Sequence, residues 1–138
     1  MLMTKPLEVV AAVICFEGKI LCVQRGLHRY GYLSNKYEFP GGKTEPGESI
    51  PDALIREIWE ELALKIQPLR PLISITHHYP DFSLNLHGWL CSCLSPDLEL
   101  REHLTALWLE PERLHEPDWA AADIPLLEEI RKQAAIFS

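Results

Sequence analysis

Apolar residues open the chain in two runs that predict a β-hairpin. Residues 8–16 form an almost continuous apolar run and residues 19–24 form a second, with Glu17-Gly18 between them. Runs of this length are typical of buried strands, and a two-residue break with glycine is typical of a tight turn. Residues 26–36 follow, and their polar composition without apolar periodicity predicts a mobile loop that could close over a substrate.

The pattern changes from strand to helix over the next part of the chain. Residues 37–39 predict a short strand, and the Pro-Gly-Gly sequence at residues 40–42 predicts a sharp change of backbone direction. A loop is expected from there to about residue 47.

The most regular helical pattern begins after this loop. Ser49 is a suitable N-cap, and Pro51 and Asp52 suit the first helical turn. The apolar residues that follow recur with a helical period and form one stripe: Leu54, Ile55, Ile58 and Leu62. We therefore expect an amphipathic helix packed against a sheet.

Two further apolar segments predict a second hairpin. Residues 66–76 and 82–94 flank a Tyr-Pro-Asp turn at residues 79–81, and the second segment alternates between apolar and polar positions. Pro68 and Pro71 predict that its first strand is irregular or lies at the edge of the sheet.

The end of the chain predicts three short elements. Residues 106–109 are expected to form a strand, residues 111–114 a helical turn, and residues 124–136 a terminal helix with Pro125 near its start. Strands mixed with one central and one terminal helix predict an α/β sandwich around a mixed sheet.

Composition and charge narrow the classes of function. The chain has 138 residues, of which 47% are hydrophobic, and its formal net charge is -7. This length supports a single domain over residues 1–138. The negative charge excludes nonspecific binding of a nucleic-acid polymer, whereas a small anionic substrate would need a local basic cluster or a bound cation.

The cellular location is also predicted from composition. The chain shows no signal-peptide pattern and no apolar segment as long as a membrane span, which predicts no membrane partner. Its four cysteines lie in apolar, strand-like sequence and are expected to be reduced. We therefore expect a cytoplasmic protein, either a monomer or a homodimer.

Three glutamates in the predicted helix form a candidate functional site. Glu57, Glu60 and Glu61 stand at helical spacing, so their carboxylates share one face and repel each other. Oxygen ligands of high charge suit Mg²⁺, or alternatively Mn²⁺. The simpler alternative is a solvated acidic face, but Arg56 and the preceding Gly-Gly loop, which could approach a phosphate or metal, favour a functional site.

The segment from residue 42 to residue 64 resembles the Nudix box, G-x5-E-x7-R-E-U-x-E-E-x-G-U, in which U is aliphatic. The residues in register are Gly42, Glu48, Arg56, Glu57, Ile58, Glu60, Glu61 and Leu64. Ala63 replaces the usual glycine, a change expected to cost about 1 kcal/mol or to lengthen the helix. The resemblance implies a Nudix α/β/α sandwich with a mixed central β-sheet.

The similarity continues outside the box. The Glu-Phe-Pro-Gly-Gly-Lys sequence at residues 38–43, the Leu-His-Gly-Trp sequence at 86–89 and the Asp-Ile-Pro sequence at 123–125 resemble MutT-type and CTP pyrophosphohydrolase-like members of the family. The resemblance thus covers most of the chain.

The resemblance implies a role for each residue of the acidic site. The metal ions would be held by the Gly41 carbonyl, Glu57, Glu60, Glu61 and Glu102, although Glu102 could instead be a solvated loop residue. Glu57 would orient or deprotonate the attacking water. Arg56 and Glu48 would support the helix and orient Glu57.

The same resemblance implies a set of substrate-binding residues, each with a simpler alternative. Arg25 and Lys43 would bind phosphates, or be ordinary exposed cations. Phe39, Tyr79 and Phe82 would stack on a nucleobase, or pack within the sheet. Asp123 would accept hydrogen bonds from the base edge, or cap the terminal helix.

The implied reaction is metal-dependent hydrolysis of a nucleoside triphosphate to the monophosphate and pyrophosphate. The expected substrate is a modified or oxidised deoxynucleotide such as 8-oxo-dGTP, or a CTP or dCTP derivative, which would make the protein an enzyme of nucleotide-pool sanitation. Phe82 replaces an arginine of some relatives, which weakens the case for strict 8-oxo-guanine specificity. The alternatives are hydrolysis of a nucleotide sugar or dinucleoside polyphosphate, and a non-catalytic nucleotide-binding module.

Overall fold

A computed structural model describes residues 5–133 of the chain. Its strands are β1 (Leu7–Phe16), β2 (Lys19–Gln24), β3 (Tyr37–Glu38), β4 (Gly41–Lys43), β5 (Gln67–His78), β6 (Ser83–Ser92) and β7 (Thr105–Leu109). Its α-helices are α1 (Ile50–Leu62) and α2 (Ile124–Lys132), and short 3₁₀ turns occur at Gly31–Leu33, Pro111–Arg113 and Ala121–Asp123.

The strands form one mixed sheet. Its central order is β3-β2-β1-β6-β5, while β4 pairs with β1 and β7 pairs with β2. Strands β1 and β6 run parallel, and the other pairs are antiparallel. The predicted mixed sheet is therefore confirmed.

Successive residues of β1 belong alternately to two hydrophobic cores, one on each face of the sheet. Val10, Ala12 and Ile14 belong to the core that includes α1, whereas Ala11 and Val13 belong to the core that includes α2. Each core is closed by the apolar side of one helix, because successive strand residues point to opposite faces. The predicted α/β sandwich is confirmed by this arrangement.

Both predicted hairpins are confirmed. Glu17 and Gly18, between β1 and β2, have φ values of 48° and 78°, the left-handed conformation of a tight two-residue turn. Strand β5 lies at the edge of the sheet, and its pairing with β6 shifts register between Pro68 and Arg70 and again after Pro71. A missing proline N–H is tolerated at such an edge.

Helix α1 begins as its sequence predicts. The Ser49 hydroxyl accepts a hydrogen bond from the Asp52 N–H at 3.2 Å, and Ala63 ends the helix with φ 51°, so alanine takes the left-handed position without lengthening it. The predicted apolar stripe is wrong at Ile55, which is 44% exposed, whereas Ala53 is buried.

Two other segments differ from the sequence-based expectation. Gly41–Lys43 forms strand β4 against β1, where a loop was expected, because the chain returns along the sheet after Pro40. Residues 26–36 lack a long element, as predicted, but they contain a 3₁₀ turn in which Leu33 is buried. Helix α2 ends at Lys132, and the predicted residues 134–136 lie outside the described part.

None of the helices within residues 5–133 has the length and apolar character that crossing a membrane requires.

Candidate active site

A cleft of about 930 Å³ opens beside β4 and the C-terminal half of α1. The predicted site residues that line it are Arg25, Phe39, Gly41, Lys43, Glu57, Glu61, Tyr79, Phe82, Glu102 and Asp123. Glu48, Arg56 and Glu60 do not line it. The cleft thus has an acidic end at α1 and an aromatic end at the β5–β6 turn.

Arg56 does not line the cleft, but its guanidinium forms hydrogen bonds with groups next to the acidic end. Its guanidinium donates two hydrogen bonds to the Glu48 carboxylate, at 2.7 and 2.8 Å, and a third to Glu57 at 2.9 Å. A fourth reaches the Lys43 carbonyl at 3.0 Å. The guanidinium lowers the pKa of Glu48 to about 2, so this pair stays charged at neutral pH. Arg56 therefore connects the loop after β4 with the Glu57 side chain.

Gly42 lies directly against the Glu57 carboxylate. A Cβ atom added to Gly42 would overlap both carboxylate oxygens. Only 15% of the Glu57 side chain is exposed, so the carboxylate has little room to move aside. Glycine at this position allows Glu57 to sit against the backbone of β4.

The Glu61 side chain is largely buried. Its side chain is 12% exposed, and its Oε2 atom is buried without a hydrogen bond within residues 5–133. Burial raises the pKa of Glu61 to about 9, with further contributions from the negative charges of Glu57, Glu38 and Glu102. An unpaired buried oxygen among carboxylates is the environment that a divalent cation would stabilise.

The three helix glutamates do not converge. Glu57 and Glu61 face the cleft, whereas the Glu60 side chain is 58% exposed and lies 3.3 Å from Arg56. Within residues 5–133, no three acidic, histidine or cysteine side chains are already arranged around one cation position.

The loop before β7 is attached to the C-terminal end of α1. Arg101 donates hydrogen bonds to the Trp59 and Glu60 carbonyls at 3.2 and 3.3 Å, which satisfies carbonyls that a helix end leaves free. This attachment brings Glu102 and His103 to the cleft beside Glu61. The His103 Nε2 atom lies 4.0 Å from the Glu61 Oε2 atom.

The two predicted phosphate-binding cations differ in their contacts. Arg25 is paired with Glu38 at 2.9 Å, so part of its charge is already neutralised. Lys43 is exposed, and its side chain forms no ion pair within the described chain, residues 5–133.

Aromatic residues and Asp123 form the other end of the cleft. Phe39 is buried against Trp119, with ring centroids 4.6 Å apart. The Tyr79 hydroxyl accepts a hydrogen bond from the Ala122 N–H at 3.0 Å, and the Tyr79 ring lies 5.1 Å from that of Phe82.

Asp123 is buried, and its Oδ1 atom accepts a hydrogen bond from the Phe39 N–H at 3.2 Å. It is the residue immediately before α2, yet its side chain makes no capping hydrogen bond, so the alternative of a side-chain cap is wrong. Burial raises the pKa of this carboxyl well above its usual value, and the charge of Glu38 adds to the effect.

Comparisons with known proteins agree with this geometry. A family model described as "NUDIX domain" matches residues 9–129. The chain belongs to the Nudix family.

Two relatives of this Nudix protein are named as nucleotide hydrolases. The chain is 38% identical over 124 residues to CTP pyrophosphohydrolase of Escherichia coli strain K12, with 90% of each chain covered. It is 26% identical over 128 residues to 8-oxo-dGTP diphosphatase of the same organism, covering 93% of this chain and 98% of the relative.

Solved structures support the same assignment. The solution structure of the E. coli ORF135 protein matches with a TM-score of 0.82 and 36% identity, covering 96% of this chain and 93% of that one. The MutT protein of Methanosarcina mazei Go1 matches with a TM-score of 0.79 at 24% identity, which shows a shared fold. The chain is therefore a Nudix hydrolase acting on nucleotide derivatives.

Nudix hydrolases generally use divalent metal ions, and the acidic end of the cleft fits such an ion. The fit rests on the unpaired Glu61 oxygen and on the close approach of Glu57 to Gly42. Within residues 5–133, Glu61 forms no ion pair with lysine or arginine, and Glu57 lines the cleft although its Oε1 atom accepts from Arg56.

Three cleft residues and one neighbour of the cleft were not singled out from sequence. Glu38 and His103 lie beside Glu61, Tyr30 lies at the aromatic end, and Tyr32 stacks on Tyr30. Glu38 is adjacent in sequence to Phe39, a predicted site residue, and this adjacency could have identified it. Tyr32 offered no such signal, because its partners in the β5–β6 turn are 47 to 49 residues away in sequence.

Proposed function

We propose that this Nudix hydrolase cleaves a nucleoside triphosphate to the monophosphate and pyrophosphate with Mg²⁺ as its metal. The expected substrate is a modified or oxidised deoxynucleotide such as 8-oxo-dGTP, or a CTP or dCTP derivative. The observation that carries the proposal is the division of one cleft between acidic groups, which include a buried Glu61 oxygen without a hydrogen bond, and a buried Asp123 beside aromatic rings. The names of the two E. coli relatives support this substrate class.

At the acidic end, we propose that the Gly41 carbonyl, Glu57, Glu60, Glu61 and Glu102 hold the metal. When bound, the metal would polarise phosphoryl oxygens and lower the pKa of water. Glu60 is the outermost of these groups, since its side chain is more than half exposed.

The attacking water requires a group that orients it or removes its proton, and Glu57 is proposed for this role. Its carboxylate is held between Gly42 and the Arg56 guanidinium, so its position is defined before substrate binds. Arg56 and Glu48 would act through Glu57, since neither lines the cleft.

The phosphates would be bound between the two ends of the cleft. Lys43 projects from β4 beside the acidic end and is proposed to contact the phosphate chain. The Arg25 guanidinium is already paired with Glu38. Arg25 would therefore contact the phosphate chain only by sharing its guanidinium between the phosphates and Glu38.

The base would lie at the aromatic end. Phe82 and Tyr79 are proposed to stack against it, while Phe39 forms the floor because its ring is buried on Trp119. Asp123 uses one oxygen for the Phe39 N–H, which leaves Oδ2 to accept from the amine of cytosine or from the N1 and N2 groups of guanine.

A substrate screen tests this proposal. CTP, dCTP and 8-oxo-dGTP are compared with UDP-glucose, ADP-ribose and diadenosine tetraphosphate at millimolar Mg²⁺, with hydrolysis products separated by ion-exchange chromatography. The proposal expects the highest kcat/KM among the triphosphates, and expects the Glu57→Gln variant to be inactive on all of them. Preference for a diphosphate derivative, or binding without hydrolysis, would contradict it.

A further inference from the structure

Four aromatic rings meet at the mouth of the cleft and form what we call the aromatic wall: Tyr30, Tyr32, Tyr79 and Phe82. Two come from the loop of residues 26–36 and two from the β5–β6 turn. Successive ring centroids are 5.5, 5.1, 5.1 and 5.9 Å apart around the group, and the planes of Tyr30 and Tyr32 differ by 3°. Such distances are those of direct stacking or tilted contact.

The four rings do not have the same relation to the cleft. Tyr30, Tyr79 and Phe82 line it, whereas Tyr32 lies behind them. The Tyr32 hydroxyl donates a hydrogen bond to the Asp81 Oδ2 atom at 2.8 Å. Tyr32 therefore contacts the site through its neighbours.

This bond also holds the tip of the loop. Residues 27–34 otherwise make hydrogen bonds within the loop of residues 26–36, such as those between His28 and Ser34. Within residues 5–133, the Tyr32–Asp81 bond is the one hydrogen bond that joins this tip to a residue outside that loop. Together with the buried Leu33 side chain, this bond anchors the segment that carries Tyr30.

We propose that Tyr32 is a positioning residue for nucleobase recognition, a role that rests on the proposed function. Held by Asp81 and stacked on Tyr79, Tyr32 fixes the Tyr30 ring against Phe82. The edges and faces of Tyr30 and Phe82 then form a preorganised stacking surface for the base. The hydroxyl of Tyr32 affects substrate binding without touching the substrate.

The first test separates the ring of Tyr32 from its hydroxyl. Tyr32→Ala removes both and is expected to raise the KM for CTP or 8-oxo-dGTP about 10-fold, whereas Tyr32→Phe keeps the stack and raises it only about 3-fold. The kcat should stay within about twofold, because the acidic end is unchanged. Tyr37→Phe is the matched control, since it also removes one tyrosine hydroxyl, at a residue outside the cleft.

A double-mutant cycle tests the Asp81 contact. The effect of Tyr32→Phe on KM should disappear when Asp81 is already alanine, because both changes remove the same bond. Additive effects would overturn the link between the two residues. An unchanged KM in Tyr32→Ala would overturn the whole proposal.

Inorganic tripolyphosphate distinguishes base binding from phosphate binding. This probe lacks a base, so its inhibition constant should be the same in wild type and Tyr32→Ala. An equal weakening of tripolyphosphate and nucleotide would show that Tyr32 acts on the whole cleft, which would contradict a role in base recognition.

Amide hydrogen exchange in the absence of nucleotide tests the positioning role of Tyr32 independently of the proposed function. Residues 26–36 should exchange faster in Tyr32→Phe and in Asp81→Ala, while α1 is unchanged. This result is measurable even in a protein that hydrolyses no triphosphate. Equal exchange in wild type and both variants would overturn the positioning role of Tyr32.

Discussion

The carboxylate of Asp123 accepts a hydrogen bond from the backbone N–H of Phe39 across 84 residues of sequence. This contact joins the residue before α2 to the residue after β3. It therefore places a buried carboxyl at the aromatic end of the same cleft that Glu57 and Glu61 line at the other end.

We expect Asp123→Asn to change base preference and to leave the fold intact. The asparagine Oδ1 atom can still accept from Phe39, but the amide replaces the second acceptor oxygen with donors. The mismatch should cost about 1 to 3 kcal/mol in kcat/KM for bases that donate to this position. The ratio of kcat/KM for CTP and 8-oxo-dGTP measures the effect, with Asp118→Asn as an exposed control.

Asp123→Ala completes this comparison. If only the alanine variant changes the ratio, the Asp123 carboxyl contacts the base in its protonated form, which asparagine can mimic. That result would agree with the raised pKa of Asp123. An unchanged ratio in both variants would exclude base reading and leave Asp123 as a structural partner of Phe39.

We expect Gly42→Ala to lower kcat by about 10- to 100-fold and to lower the melting temperature as well, because the new methyl group displaces the Glu57 carboxylate, which has little room to move. Gly31→Ala is the matched control, since a Cβ at Gly31 meets no atom within 4 Å. Steady-state kinetics and thermal melting of both variants check the prediction. Wild-type kcat in Gly42→Ala would mean that Glu57 does not need its observed position.

Glu61→Gln should abolish turnover and yet stabilise the metal-free protein. The pKa of Glu61 is raised to about 9 by burial and by neighbouring carboxylates, above its ordinary value of 4.5. The folded state therefore binds a proton that the unfolded state releases, and the wild type loses stability as pH rises from about 4.5 to about 9. The melting temperature of the variant should fall less over this range. If the melting temperatures of the wild type and the variant change with pH in the same way, the Glu61 carboxyl does not have the raised pKa described here.

Mg²⁺ should raise the melting temperature of the wild type by several degrees, about 2 to 8 °C, because it binds the folded state and offsets the repulsion between carboxylates. The shift should be much smaller in Glu61→Gln, which lacks one proposed ligand. Differential scanning calorimetry with millimolar Mg²⁺ or with EDTA provides the measurement. Equal shifts in both proteins would place the metal elsewhere.

Sequence alone predicted those parts of the fold that local patterns specify. Helix α1, with Ser49 at its start, follows from helical periodicity and capping, and the hairpin turn at Glu17 follows from glycine chemistry. Strand β4 was missed because its three residues include two glycines, and only pairing with β1 makes them extended. Ile55 was misplaced because periodicity does not give the width of the buried face.

The candidate site was predictable at its acidic end and less so at its aromatic end. The box glutamates are close in sequence, so helical spacing relates them directly. The exposure of Glu60 depends on how α1 is rotated against the sheet, which spacing does not report. The Tyr32–Asp81 and Phe39–Asp123 contacts join residues far apart in sequence, and only the folded sheet brings them together.

Product analysis tests the central claim most directly. The protein is incubated with Mg²⁺ and either CTP or 8-oxo-dGTP, and the phosphorus-containing products are identified by ³¹P NMR, with Glu57→Gln in parallel. We expect equal amounts of nucleoside monophosphate and pyrophosphate from the wild type and neither from the variant. Release of orthophosphate and nucleoside diphosphate, or hydrolysis by the variant at the wild-type rate, would contradict it.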